Sequence, residues 1–443
     1  MDSRWDVFDS QKMSHDGSID YEFQVLNTQG DVLKESNYEV YTTDKSAFFD
    51  PMSLALEVEH NTTLLDDSGV TGANDDESPL LASNGFLMFE DARYFVGNNL
   101  IQMVRKPGIH CHMDLITEAS KEYLDTIASN AHIFVDGRSD TAVAGAQTQA
   151  NLATDPAYVR RLARQVDQGN GYQRSFLPLH LIFESLKDDK VIQGSELRFI
   201  LNKVSNFNEA LYGSALSTDA KLNIKSIRLW GSKVKPSPEL YANFLKKAKE
   251  SSVVTRQMVV PELYFTSRLK ITGGGTETYQ VDANTSRPVK VVLGFQFTDR
   301  VTDPKLNPLE FDTLGANKES PNLSSVTLRV NGHRVPQARP YAPSIDGSSR
   351  IVQEIYRTAG MDQQTLGSSS ITSENWLTQH SLFVFDLSNI QGSPFEKVER
   401  AQIEVEWGTS ADVDRPYRVM VQVYSAKEYE YSYSTGTTLI SLK

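Results

Sequence analysis

One cysteine, Cys111, stands in 443 residues. No intrachain disulfide can form, which fits folding in a reducing compartment. Long hydrophobic runs are missing too: no window nears the roughly 20 apolar residues a helix needs to span a bilayer. The N-terminal Met1-Asp2-Ser3-Arg4-Trp5-Asp6 lacks the charged-then-apolar layout of a secretion signal. There is no basic excess, since the formal net charge is −13. A domain that grips nucleic acid through phosphates normally presents a basic face, so contact with a polyanion would have to be local. Catalytic signatures are also absent. The chain has no Gly-x-Ser-x-Gly elbow and no His-Glu-x-x-His, and Gly273-Gly274-Gly275 lacks the Lys-Ser/Thr of a phosphate loop and reads as a flexible hairpin tip.

What is present is strand material. The length exceeds one core and suggests two domains of about 200 residues each. With 39% apolar and 23% charged residues the composition is that of an ordinary soluble protein, and 18 Tyr and 20 Phe with scattered β-branched runs favour an all-β chain. Residues 1–20 are polar and read as an arm that orders only against a neighbour. Strands are expected at 21–26, 53–60, 86–89, 92–96 and 100–104, the last two joined through Gly97-Asn98-Asn99. A helix is expected from Met113 to Ile127, on the spacing of Leu115, Ile116, Ala119, Tyr123 and Ile127. Asp155-Pro156 caps a second helix, with Tyr158, Leu162 and Val166 inward and Arg160, Arg161 and Arg164 on its surface. Phe176 to Phe183 reads as an edge strand because Pro178 cannot donate to a ladder, and it turns onto a short helix. Leu197, Phe199 and Leu201 then alternate with polar residues, giving a strand with one face buried.

A strand at 222–230 closes the first half, and Ser237-Pro238-Glu239 opens a helix ending in Lys246, Lys247 and Lys249, as the helix dipole favours. The second half offers strands at 259–265, 289–297, 326–330, 382–387, 403–407 and 417–423. Asn331-Gly332 is the strongest hairpin signal in the chain. Each half supplies about eight short strands. The reading is therefore all-β, two tandem eight-stranded antiparallel jelly rolls with a few short helices. The expected units are an arm at 1–20, a first jelly roll at 21–236, a linker helix at 237–252 and a second jelly roll at 253–443.

Phe176-Leu177-Pro178-Leu179-His180-Leu181-Ile182-Phe183, with the strand after it, resembles a signature of double-jelly-roll major capsid proteins from polinton, adintovirus and virophage-like DNA viruses. Four further segments resemble that family in the same order: 89–101, 115–123, Leu293-Gly294-Phe295-Gln296 with 328–336, and 382–388. The likeness covers about residues 85–443. It departs at Glu184-Ser185-Leu186, where the family often has a glycine-aromatic pair. The resemblance implies a homotrimeric capsomer of six barrels that tiles an icosahedral virion around a DNA genome. It also implies neighbouring capsomers and penton or minor capsid proteins as partners, assembly in the host cytoplasm or nucleus, and no enzymatic activity, cofactor or dedicated small-molecule ligand.

The chemical candidates each have a plainer alternative. Ile109-His110-Cys111-His112 has metal-ligand residue types at tight spacing, or is simply the link between hairpin and helix. His132, His180, His333 and His380 read as isolated polar residues. Asp66, Asp67, Asp75, Asp76 and Glu77 could hold calcium but lack the pattern of a calcium loop. The two basic clusters, Arg160/Arg161/Arg164 and Lys246/Lys247/Lys249, read as solvated helix faces or as weak contacts to packaged DNA. Asn61-Thr62-Thr63, Asn284-Thr285-Ser286 and Asn322-Leu323-Ser324 match the glycosylation pattern. Two rivals to a shell protein are a carbohydrate-binding sandwich, using Trp376 or Trp407 as a platform, and a metal-binding barrel enzyme, which the dispersed histidines disfavour.

Overall fold

The computed structural model describes residues 20–28, 37–42, 48–64, 80–126, 128–134, 156–166, 172–187, 192–193, 195–213, 220–250, 253–285, 287–303, 306–315, 321–336, 339–360, 369–388, 401–434 and 437–442. Sixteen strands build two barrels. In the first they are β1 Asp20–Thr28, β2 Asn37–Tyr41, β3 Phe48–Leu64, β4 Phe89–Val96, β5 Asn99–Arg105, β6 Gln173–Pro178, β7 Leu197–Lys203 and β8 Ala220–Lys235. In the second they are β9 Val253–Arg268, β10 Gly275–Thr285, β11 Pro288–Phe297, β12 Leu323–Val330, β13 His333–Val335, β14 Leu382–Asp386, β15 Ala401–Thr409 and β16 Tyr417–Ser434. A further strand, β17 Thr437–Leu442, folds back and pairs antiparallel with the end of β16.

The sheet orders show the architecture. The first barrel pairs β1-β8-β3-β6 and β2-β7-β4-β5, and the second pairs β9-β16-β11-β14 and β10-β15-β12-β13. Adding eight to every label of the first set gives the second. Each order is that of a jelly roll, with all ladders antiparallel. The two halves of the chain thus share one strand topology.

Side-chain alternation builds the core. Leu54, Leu56 and Val58 of β3 point between the sheets, as do Leu197, Phe199 and Leu201 of β7, all at 0% exposure. Burial of this kind contributes about 25 cal/mol per Å² of apolar surface. In the second barrel Phe295 packs against Trp407 and Phe383, with ring centroids 5.5 and 6.1 Å apart. The two cores are continuous. Part of the join is aromatic: Phe48 of β3 meets Phe244 of the helix Pro238–Glu250 at 5.6 Å, and Phe244 meets Tyr433 of β16 at 5.9 Å.

Turns follow local chemistry. Asn331 and Gly332 have φ of 49° and 80°, the left-handed pair that a two-residue hairpin needs. The edge strand read at 176–183 lies earlier, at Gln173–Pro178, and beyond Pro178 the chain turns into two short 3₁₀ helices, Leu179–Leu181 and Glu184–Leu186. Residues 86–88 form a 3₁₀ turn and not a strand, because the Asn84 side chain accepts from Phe86 N–H and caps it. The glycines at 273–275 lead through a corner from β9 in one sheet to β10 in the other, so they are not a hairpin tip.

Candidate assembly surfaces

The helix read from Met113 to Ile127 starts earlier and stops sooner. Helix α1 spans Pro107–Glu118, followed by a short turn of helix, Lys121–Asp125. Pro107 occupies the first turn, where its missing N–H costs nothing. Gly108 lies so close to Leu87 that a Cβ would come within 2.6 Å. The Ile109-His110-Cys111-His112 run is therefore buried core helix and not a linker. Its side chains diverge: Cys111 is buried with its thiol pushed up to about 12 by desolvation, while His112 stacks on Phe311 at 6.3 Å and faces His380 at 6.2 Å.

His110, Asp114 and Glu118 recur at four-residue spacing along α1, and this stripe meets the outer face of the second barrel's β9-β16-β11-β14 sheet. The Asp114 carboxylate accepts from Gln422 Nε2 at 2.7 Å and from the Tyr424 hydroxyl, both on β16. Lys290 of β11 pairs with Glu118 and lies 3.7 Å from the centre of the Tyr424 ring. Desolvation raises the Asp114 carboxyl above its usual range. It also pushes Glu184, paired with Lys187 beside this seam, up to about 7. His110 lies 3.8 Å from Asp114, yet burial pushes its imidazole down to about 3, so the contact is not an ion pair. Elsewhere on this face Arg418 donates to Gln296 Oε1, its Nε at 2.7 Å, and burial lowers it to about 10. Asn206 and Asn208 of the first barrel donate to Val301 and Thr302 carbonyls at 3.1 and 2.9 Å. In a buried polar seam of this kind, removing one partner is costly because the other is left unpaired.

The matching face of the first barrel carries a different set of side chains. Outward positions of β3, β6 and β8 carry Glu57, Glu59, Arg174, Phe176, Arg228 and Trp230. Trp230 donates its indole N–H to Glu57 at 2.7 Å, and its ring centroid lies 6.4 Å from that of Phe176. Arg174 and Arg228 stand off Glu57 at 3.7 Å, and Lys225 pairs with Glu59 at 2.9 Å. The Arg174 and Lys225 side chains are 61% and 48% exposed, whereas the Glu57 and Glu59 carboxylates they flank are 13% exposed. On the second barrel, β9 exposes Val253, Val259 and Phe265, with Leu269 just beyond it.

Other residues singled out in the sequence fall mostly in the core. Arg161, expected on a surface, has 0% exposure; it donates to the Leu81 carbonyl at 3.0 Å and lies 5.6 Å from the ring centres of Tyr158 and Tyr212. Arg160 is exposed, and Arg164 donates to the Ser129 carbonyl at 2.7 Å. Lys246 and Lys249 are exposed. His132 is not isolated, since it faces His60 at 5.8 Å, and His60 Nε2 contacts Ser175 Oγ at 2.8 Å. His180 Nδ1 lies 3.1 Å from the Met52 carbonyl, and His333 is exposed on its hairpin. Asn61 and Asn322 are buried, which removes both as surface glycosylation sites. Trp376 and Trp407 are fully buried and offer no platform for a sugar. Among the described residues no group of three His, Cys, Asp or Glu is placed to hold a metal ion. The N-terminal arm to residue 19 and the acidic loop at 66–77 lie outside the described residues.

Comparison with known proteins rests on structure alone. No protein-family model and no curated protein matches the sequence. A chain of the Sputnik virophage, solved by cryo-EM, superposes with a TM-score of 0.60 at 10% identity, covering 98% of this chain and 90% of that one. The mavirus major capsid protein gives 0.57 and the Faustovirus major capsid protein 0.55, each at 10% identity over 98% of this chain and 92% of theirs. The chain has the double-jelly-roll fold of those capsid proteins. Each of these superpositions spans nearly the whole chain.

Proposed function

We propose that this chain is a structural major capsid protein without enzymatic activity, and that its site of action is the virion. Three copies associate into a pseudo-hexagonal capsomer of six barrels, and capsomers tile an icosahedral shell around a DNA genome. The observation that carries this reading is the end-to-end match to major capsid proteins, with no large part of the chain left over for another task. The physics suits the use. A jelly roll is a stiff wedge whose sheets stay fixed while its end loops vary. Two unlike wedges per chain, joined by a buried polar seam, close at three through a heterologous contact. Such an obligate interface buries upward of about 2,000 Å². The exposed Val253, Val259, Phe265 and Leu269 are apolar surface for contacts to neighbouring copies.

The functional units in this reading are an arm at 1–20, jelly rolls at 21–236 and 253–443, and a linker helix at 237–252. Penton or minor capsid proteins are further partners, and assembly takes place in the host cytoplasm or nucleus. Contact with packaged DNA is confined to exposed cations such as Arg160, Lys246 and Lys249, given the net charge of −13. Light-scattering mass of the purified full chain tests the proposal. It predicts a three-copy species at micromolar concentration, and a strictly monomeric chain at every concentration refutes it.

A further inference from the structure

The joint between the barrels holds a titratable group that the polar seam does not use. His112 sits on α1, which Gly108 holds against Leu87 of the first barrel, and its ring reaches the second barrel. There it is 4% exposed, stacked on Phe311 and backed by the Leu309 carbonyl, and its Nε2 meets no hydrogen-bond partner among the described residues. The titratable group facing it across the joint is His380, 3% exposed with its ring centroid 6.2 Å away, a second imidazole and not a carboxylate.

The carboxylates on the surrounding elements are engaged elsewhere. Glu310 and Asp312, on either side of Phe311, bind Arg300 at 2.7 and 2.8 Å. On α1 itself Asp114 is held by Gln422 and Tyr424 with His110 beside it, and Glu118 pairs with Lys290. Among the elements packed on α1, Glu90 and Asp91 of β4 pair with Lys106 and Arg93, and Glu354 of the helix Ile345–Thr358 pairs with Arg357. Glu184 takes Lys187. Arg105 of β5 and Arg350 of that helix add further cations, and the turn Gly85–Met88 has no titratable side chain. In the closed joint the His112 imidazole stays neutral down to about pH 3, because burial penalises its charged form, whereas in water it takes a proton below about 6.5. The open form therefore binds one more proton between those values, and acid favours it.

We propose that His112 makes this joint an acid-released latch: on taking up a proton it parts α1 from the Phe311 segment while each barrel keeps its fold. The latch belongs to the single chain and goes beyond the shell reading. Asp114 and Glu184 pull the other way, since burial raises both carboxyls and the closed form holds their extra proton. Comparing variants at position 112 removes that contribution.

Amide hydrogen exchange of the full chain tests it, read by mass spectrometry between pH 7 and 5 and corrected for intrinsic rates. The reporter is segment 306–315, whose Phe311 and Asp312 N–H groups bond to the Gln379 and Phe295 carbonyls. Relative to His112→Phe, the opening constant of the wild type is expected to rise about 25-fold from pH 7 to pH 5, the effect of one proton. Strands β7 and β12 are expected to stay protected throughout. His112→Gln, neutral at every pH, is run in parallel and carries the comparison if circular dichroism shows the phenylalanine variant unfolded. Identical pH profiles in wild type and variant overturn the inference, as does loss of protection in β7 and β12 together with the segment. Either result leaves the shell reading, judged by the three-copy mass, untouched.

Discussion

The two outer sheet faces are topological equivalents with opposite fates. On the second barrel the outward residues Lys290, Gln296, Arg418, Gln422 and Tyr424 are all buried. They are covered by α1 and by the segment around Phe311, whose ring would meet a Cβ on Gly294 at 2.5 Å. On the first barrel the outward positions carry ion pairs at 2.9 to 3.7 Å whose cations Arg174 and Lys225 are exposed. One fold carries two different surfaces, one buried under other parts of the chain and one that holds solvent-exposed cations. A polar group's energetic weight follows from which surface it occupies. Buried and partnered it is costly to disturb; exposed it counts for little.

Acid gives the largest expected break. Burial pushes the His60 imidazole down to about 4, those of His110 and His112 to about 3, and that of His132 well below its usual value. Folded-state values below the unfolded 6.5 mean that the unfolded chain binds more protons under that pH. Stability therefore falls as pH drops from 6.5 toward 4, by about 1.4 kcal/mol per pH unit for each group. Urea titrations at pH 6.5 and 5.0 should differ by several kcal/mol, and equal midpoints would contradict the buried-histidine assignment.

Next in size is Tyr424→Phe, which strips a donor from the buried Asp114 carboxylate on the covered face. A loss of about 2 kcal/mol in unfolding free energy is expected by denaturant titration. Glu184→Gln has the opposite sign. The folded carboxyl sits at about 7 against 4.5 when unfolded, so ionising it weakens the fold above that window. The glutamine variant should gain about 1 kcal/mol at pH 8, with the gain gone by pH 5. Smallest is Lys225→Ala on the first-barrel face, expected within about 0.5 kcal/mol of wild type in the unassembled chain. A cost as large as that of Tyr424→Phe would erase the distinction between the two faces.

The sequence already shows the strands whose apolar residues alternate, such as Leu197-Phe199-Leu201, and the hairpin that Asn331-Gly332 dictates. Strand β10 escaped because Gly275–Thr285 is mostly polar and exposed, with Val281 buried, so its pattern carries almost no apolar signal. The start of α1 escaped because Pro107-Gly108 looks like a turn and becomes a helix start only with Leu87 packed on the glycine. Arg161 was misread since a cation on a helix defaults to solvent, and its burial depends on Leu81, Tyr158 and Tyr212 converging around it. The seam was wholly invisible: Asp114 and Tyr424 are 310 residues apart, and no local pattern links them.

Electron cryomicroscopy of the purified, associated wild-type chain tests the central claim most directly. The expected image is a threefold particle with six barrels in a pseudo-hexagonal ring. Two-lobed single chains at every concentration would contradict it.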